Sequence, residues 1–202
     1  MNEQHVLTWP EPAVPVPSTD VEASRLIARC LAGDEAGYME LYNHFNGMVF
    51  RLAYSLLQDQ QDAEEVLQDS FEYAFRRLDH FDPRKASFKT WLYRITVSRS
   101  RNKRRRKWLP SISLQQLDYR EVKDPNAPLP DERIIVSEQQ RLIWNALGKL
   151  STKLREVAIL RYYAGLPYAE IGQILDIPPK TAESRMRLAH KALRDHLDGL
   201  LE

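Results

Sequence analysis

Two stretches of this chain carry side chains suited to contacting nucleic acid. The first is the run from Arg99 to Lys107, in which seven of nine residues are Lys or Arg. The second lies between Lys180 and Lys191, where polar and basic residues alternate with apolar ones at helical spacing. Basic side chains neutralise phosphates, and Arg can also read guanine in the major groove. We therefore expect contacts with DNA at two places that are well separated along the sequence.

Aromatic residues precede the basic run and suggest what kind of nucleic acid it meets. Phe81, Phe88, Trp91 and Tyr93 lie within 20 residues of it. Unstacked bases can stack on such rings for about 1–3 kcal/mol each, which suits single-stranded DNA. The competing interpretation is that the helix has an ordinary apolar core stripe made of Phe88, Trp91, Leu92 and Ile95, and we favour it for Trp91 and Ile95.

The second stretch belongs to a predicted helix-turn-helix. Two helix-period segments, residues 166–175 and 179–193, flank the break Asp176-Ile177-Pro178, and Pro179 suits a first helical turn. Their shared core should consist of Ile171, Ile174, Leu175, Ile177, Ala182, Met186, Ala189 and Leu193. The outward side of the second helix would then enter a major groove. An ordinary helical hairpin with a solvated face is the alternative.

The remaining pattern upstream of the basic run is also helical. Thr19 or Asp20 can cap a first helix that ends near Gly33, and Asp34 can cap the next. The Asn46-Gly47 pair predicts a break between two amphipathic helices. A helix with one acidic side follows from about residue 60 to 78, and Ser87 caps the helix that carries the basic run.

Prolines and charge divide the chain. Residues 1–18 hold four prolines and predict a disordered tail, and residues 109–130 hold four more and predict a linker. Net charge is −3 over residues 109–138 but +3 over both 20–108 and 139–202. Helices are expected at about 131–147 and at 151–163, the latter capped by Ser151. The prediction is an all-α protein with helical domains at 19–108 and 131–202, joined by an extended linker.

Other function classes lack their signatures. His-Glu-x-x-His, Gly-x-Ser-x-Gly and Gly-x4-Gly-Lys motifs are absent, and the five histidines lack metal-ligand spacing. We expect no catalytic residue, no metal and no cofactor. Cys30 has no partner for a disulfide, and no apolar run approaches the ~20 residues that span a bilayer. A cytoplasmic protein without membrane insertion is expected.

Both halves resemble one family. Asp62 to Phe71, then Phe81 and Phe88 to Ile95, look like the sigma-2 domain of bacterial extracytoplasmic-function sigma factors of the sigma-70 family. Residues 147–193 are similar to the sigma-4 domain, in the family's order and with no sigma-3 domain between. The resemblance implies a specificity subunit that directs core RNA polymerase to promoters and helps open the DNA, and that is not itself an enzyme. It also implies an anti-sigma factor as a partner.

The resemblance assigns roles to three sets of residues. Polymerase binding falls to Asp62, Glu64, Glu65, Gln68 and Asp69. Recognition and melting of the minus-ten element, including the non-template strand, fall to Phe81, Phe88, Lys89, Arg94, Ser98, Arg101, Asn102, Arg104 and Arg105. Reading of the minus-thirty-five duplex falls to Lys180, Thr181, Glu183, Ser184, Arg185, Arg187 and Lys191.

The chain departs from the family pattern at a few of these positions. Ser98 stands where Asn is usual and Asn102 where Asp is common. Glu183 replaces a Lys, so it could accept from cytosine N4 or position Arg187. A one-component helix-turn-helix repressor or activator that does not act through polymerase remains the alternative function, but it leaves the basic run without a role.

Overall fold

The structure, a computed structural model, describes residues 18–108 and 138–198, with side chains for 21–107 and 144–196. Over these ranges it is all-α, as predicted. The helices are α1 (Ser18–Leu31), α2 (Glu35–Leu57), α3 (Gln60–Arg76), α4 (Phe88–Trp108), α5 (Glu138–Lys149), α6 (Thr152–Tyr162), α7 (Tyr168–Leu175) and α8 (Pro179–Asp198), with a 3-10 turn at Leu78–His80. The predicted tail at 1–18 falls almost entirely, and the predicted linker at 109–130 wholly, outside the described residues.

Local capping chemistry sets most helix boundaries. Gly33 adopts φ +86° after α1, a left-handed conformation that glycine tolerates. The Asp34 carboxylate accepts a hydrogen bond from the Ala36 amide at 3.0 Å, and the Ser87 hydroxyl accepts one from the Thr90 amide at 3.1 Å. These predicted boundaries are confirmed. Ser151 precedes α6 as predicted, but its side chain makes no capping hydrogen bond.

The predicted break at Asn46-Gly47 is wrong, because α2 continues through it to Leu57. One buried stripe, which includes Leu41, Phe45, Val49 and Leu52, runs along both sides of that pair. A glycine inside a helix costs about 1 kcal/mol relative to alanine. Burying these large side chains outweighs that penalty, since each contributes roughly 1.5–3 kcal/mol.

The first half, residues 18–108, packs α1, α2 and α4 with α3 around an apolar core. Leu26, Phe45, Phe71 and Leu92 lie in this core and are almost fully buried. A smaller cluster of Ala53, Ala63 and Val66 closes the contact between α2 and α3. The result places the basic run on α4 beside the acidic residues of α3.

The second half, residues 138–198, lies directly against the first. One continuous apolar cluster joins Leu52, Leu56 and Val97 of the first half to Val157 and Leu160 of α6. The cluster continues into the core of the helix-turn-helix between α7 and α8. The sequence analysis did not predict this packing between the halves.

Candidate nucleic-acid interfaces

Helix α8 presents the predicted minus-thirty-five residues on the side away from its core. Ala182, Met186, Ala189 and Leu193 are buried against α6 and α7, as the sequence predicted. The predicted contact residues divide by exposure: Lys180, Glu183, Arg187 and Lys191 are exposed, and Thr181, Ser184 and Arg185 are half-buried. The Arg187 guanidinium donates to the Ser184 hydroxyl at 3.3 Å. The structure thus brings this set together on one accessible surface.

Two residues, Gly172 and Asp176, shape the turn between α7 and α8. Asp176 ends α7 with φ +58°, a left-handed conformation that Asp tolerates better than most residues. A Cβ added at Gly172 would lie 2.7 Å from the Ile177 carbonyl oxygen, so the tight approach of the turn requires glycine there. The Ile177 amide donates to the Gly172 carbonyl at 3.0 Å. Gly172 and Asp176 therefore hold the recognition helix at its angle to α7.

Helix α4 distributes its polar and basic residues over three sides. Arg94, Ser98, Arg105 and Arg106 face solvent. Lys103 and Lys107 turn towards the acidic residues of α3. Arg101 and Arg104 turn towards the second half. Only part of the predicted minus-ten set is therefore accessible in this arrangement.

The aromatic residues ahead of the basic run form a packed group. Phe81 lies 5.5 Å from Phe88 and 5.4 Å from Trp91 between ring centroids. Phe88 is 2% exposed and also contacts Phe45, so in this state its ring belongs to the core. Phe81 and Trp91 are half-buried and remain at the edge of the group.

The loop that joins Phe81 to α4 is held by its own side chains. Asp82 accepts hydrogen bonds from the Arg84 amide at 3.0 Å and from the Arg84 guanidinium at 2.9 Å. These bonds lower the pKa of the Asp82 carboxyl to about 2. The loop thereby presents Arg84 and Lys85 to solvent beside the aromatic group.

The acidic residues of α3 also divide into two kinds. Asp62 is buried, lies 3.6 Å from the Lys103 ammonium and contacts that of Lys107. Glu65 is exposed but is paired with Lys103 as well. Glu64, Gln68 and Asp69 are exposed on the outer side. The most accessible docking candidates are therefore these last three.

A buried acid on α6 was missed by the sequence analysis. Glu156 is 2% exposed and accepts two hydrogen bonds from the Arg101 guanidinium, at 2.9 and 2.7 Å. These bonds raise the pKa of Arg101. The available signal was a single acid next to the apolar stretch Val157-Ala158-Ile159-Leu160, since a charge that enters a core needs a partner.

Arg104 and Arg155 meet at the C-terminal end of α2. Both guanidiniums donate to the Leu56 carbonyl, Arg104 at 2.6 Å and Arg155 at 3.3 Å. Arg104 also donates to the Thr152 hydroxyl at 2.6 Å. Burial lowers the pKa of both arginines. The end of α2 is thus a hydrogen-bonded junction between the two halves.

Polar pairs also join the halves at the other end of their contact. The Arg51 guanidinium donates to the Tyr163 hydroxyl at 2.6 Å, and the Thr90 hydroxyl donates to Glu170 at 2.8 Å. Tyr93 lines the same cavity as Arg51 and Tyr163, is 2% exposed, and burial raises the pKa of its phenol.

Within residues 18–108 and 138–198, every helix is too short or too polar to span a bilayer. Within the same residues, no cluster of three or more His, Cys, Asp or Glu side chains is placed to hold a metal ion.

Comparison with known proteins agrees with this architecture. The family described as Sigma-70 region 2 matches residues 41–109, and the family described as Sigma-70, region 4 matches residues 140–193. The chain is 30% identical over 174 residues to the ECF RNA polymerase sigma factor SigW of Bacillus subtilis, covering 83% of this chain and 92% of that relative. It is 29% identical over 182 residues to SigK of Mycobacterium bovis, covering 90% and 95%.

A solved structure has the same fold. CnrH, determined in complex with the cytosolic domain of CnrY, superimposes with a TM-score of 0.64 and 25% identity, covering 88% of this chain and 98% of CnrH. The two matched regions contain the basic helix α4 and most of α8, the second helix of the helix-turn-helix, in that order along the chain. This chain therefore belongs to the ECF sigma factors of the sigma-70 family, the RNA polymerase subunits that direct transcription initiation.

Proposed function

We propose a division of labour in which residues 19–108 bind core RNA polymerase and open the minus-ten element, while residues 131–202 read the minus-thirty-five element. The observation that carries this proposal is that two basic surfaces lie on different helices, one on α4 and one on α8. Each of these helices belongs to a different one of the two matched sigma regions. A surface beside aromatic rings suits melted DNA, and a helix-turn-helix suits duplex DNA.

Polymerase docking is assigned to the acidic side of α3. Glu64, Gln68 and Asp69 are its exposed members, while Asp62 and Glu65 hold α4 in place through Lys103 and Lys107. Exposed charges contribute to the rate and specificity of association, and paired buried charges contribute to local structure. The proposed docking surface therefore consists of these three exposed residues and not of all five that the sequence assigned.

Duplex reading is assigned to the N-terminal part of α8. Arg185 and Arg187 are the residues best suited to bidentate contacts with guanine, and Lys180 and Lys191 suit phosphates. Glu183 is exposed in the same region, where its carboxylate can accept from cytosine N4.

The same proposal covers the partners and the place of action. The chain acts on promoter DNA as a subunit without catalytic activity of its own, in the cytoplasm, where polymerase and chromosome are. An anti-sigma factor is proposed to hold it inactive, and the structure of CnrH in complex with the cytosolic domain of CnrY supports a protein partner that binds this fold.

Run-off transcription tests the proposal directly. The purified chain is added to core polymerase with a library of genomic promoter fragments, and transcripts are sequenced. The proposal expects discrete start sites that depend on the chain. Binding of the chain to promoter fragments with repression, and without any association with core polymerase, would favour the one-component regulator instead.

A further inference from the structure

A cavity lined by both halves is not explained by the roles assigned above, of which only that of Lys89 touches it. The cavity has a volume of about 320 Å³, is partly open to solvent, and is lined by side chains of α2 and α4 together with Tyr163 of the second half. Small-molecule sites in proteins measure roughly 300–1,000 Å³. We propose that this cavity binds a small aromatic carboxylate, a ligand that lies outside the function proposed above.

The charged groups that line the cavity are basic. Arg51 of α2 and Lys89 of α4 both line it, together with the imidazole of His44. The Glu22 carboxylate lies 4.0 Å from Nδ1 of His44, but neither Arg51 nor Lys89 forms an ion pair within the described residues. A cleft lined by charges of one sign concentrates ligands of the opposite sign. The cavity therefore favours an anion.

The Tyr93 phenol supplies a hydrogen-bond donor without a partner. Tyr93 lines the cavity and is 2% exposed, and its hydroxyl makes no hydrogen bond within the part of the chain that the structure describes. Buried hydroxyl groups in native proteins nearly always have a partner. Burial raises the pKa of this phenol, so the hydroxyl keeps its proton and can donate it to a ligand oxygen. A bound carboxylate would supply the missing acceptor.

The other side chains of the cavity suit an apolar body on that anion. Phe45 and Met48 lie one turn apart on α2 and line the cavity, Phe45 almost fully buried and Met48 half-buried. Tyr93 and Tyr163 add two aromatic rings. A bare phosphate would leave this apolar surface in contact with water, whereas a ring attached to a carboxylate would cover it and contact the protein's own rings. The ligand class is therefore an aromatic carboxylate and not an inorganic anion.

The Arg51 guanidinium is held in place to meet the carboxylate. Its Nε donates to the Tyr163 hydroxyl at 2.6 Å, which leaves the two Nη groups as donors for a ligand. A Cβ added at Gly47 would lie 3.1 Å from Nη1 of Arg51, so glycine at this position leaves room for the guanidinium. Paired donors of one guanidinium bind a carboxylate in a fixed orientation. Arg51 therefore fixes the orientation of the charged end of the ligand.

A ligand in the cavity also contacts both halves, because Tyr163 follows α6 while the other lining residues belong to α2 and α4. A molecule that binds only the folded chain stabilises it by mass action. We expect the melting temperature of the chain to rise with the concentration of such a ligand.

The test titrates the full chain with benzoate by isothermal titration calorimetry. Benzyl alcohol keeps the ring without the charge, and inorganic phosphate keeps the charge without the ring. We expect benzoate to bind at least about tenfold more tightly than either compound. An absence of saturable benzoate binding up to about 20 mM would overturn the proposal. Phosphate that binds as tightly as benzoate would overturn it too, since the cavity would then bind any anion.

The sharpest variant is Tyr93→Phe, because it removes only a hydroxyl that makes no hydrogen bond within the described residues. We expect it to weaken benzoate binding about tenfold, and Arg51→Gln to weaken it by a similar factor. The matched control is Tyr73→Phe, the same change on α3 away from the cavity, and its effect should stay below about twofold. Melting temperatures without ligand show whether each variant is folded. Equal benzoate affinities for Tyr93→Phe and Tyr73→Phe would refute the assignment of the site.

Discussion

The two halves of this molecule treat their functional side chains differently. In the second half, the contact residues of α8 point to solvent, and Lys180, Glu183, Arg187 and Lys191 are exposed. In the first half, several assigned residues are bound within the chain: Asp62 and Glu65 to lysines of α4, and Arg101 and Arg104 to the second half. The two halves have similar net charge along the sequence. Whether a charged side chain is available to DNA or to polymerase therefore depends on packing.

This difference indicates where regulation can act. A surface that is already exposed can be altered only by covering it with a partner. A surface occupied by the chain's own groups can be switched by moving those groups. The first half is therefore the part in which packing decides which of the assigned side chains are accessible, and each variant below tests one side of that contrast.

The largest effect is expected for Glu64→Lys combined with Asp69→Lys. Both acids are exposed on the outer side of α3. The docking assignment requires a complementary basic surface on polymerase, and reversal would place like charges against it. We expect affinity for core polymerase to fall by about 100-fold or more, measured by pull-down and by fluorescence titration. Undiminished affinity, with folding verified by circular dichroism, would contradict the docking assignment.

The next largest effect concerns the contact residues of α8 in the second half. Arg185→Ala with Arg187→Ala should reduce promoter-directed transcription about 10- to 100-fold, because each base contact contributes roughly 1–3 kcal/mol. Polymerase affinity should not change, since neither residue lies on α3. The matched control is Arg194→Ala, an exposed arginine further along α8 that belongs to no assigned set. If the control loses as much activity, the base-reading assignment is wrong.

Sequence patterns predicted the local structure better than the contacts between halves. Caps at Asp34 and Ser87, the buried stripe of the helix-turn-helix and the proline at the start of α8 all depend on neighbours in sequence, and all are present. The continuity of α2 through Gly47 was missed because packing on both sides of that residue outweighs its low helix propensity.

The engagement of the basic run was missed for a different reason. Nothing in the run itself distinguishes Arg101 from Arg105, although Arg101 is hydrogen-bonded to Glu156 and Arg105 is exposed. The distinction arises from helical phase against a partner 55 positions away in the chain. The one sequence signal was the position of Glu156 beside an apolar stretch, which indicated that this acid needs a basic partner.

A smaller effect, on the free energy of unfolding, is expected to distinguish the buried acid of α3 from the exposed one. Asp62→Asn should lower the free energy of unfolding by about 1–2 kcal/mol, because it weakens a buried contact with Lys103 and Lys107. Asp69→Asn should stay within about 0.5 kcal/mol, as exposed substitutions usually do. Urea unfolding followed by circular dichroism measures both. Equal losses would show that burial does not distinguish these acids.

The smallest effect tests whether a lysine that is already paired can also serve DNA. Lys191 is exposed on α8, whereas Lys107 lies 3.5 Å from Asp59 and is also paired with Asp62. Removing one phosphate contact should reduce the slope of log affinity against log salt concentration by about 0.9. Lys191→Gln should therefore flatten the slope for holoenzyme binding to a promoter found by run-off transcription, and Lys107→Gln should leave it unchanged. A flatter slope for Lys107→Gln would mean that promoter phosphates displace the carboxylates of α3. In that case the intramolecular pairs of the first half would exchange with DNA as readily as the exposed charges of the second, and the contrast between the halves would not hold at this position.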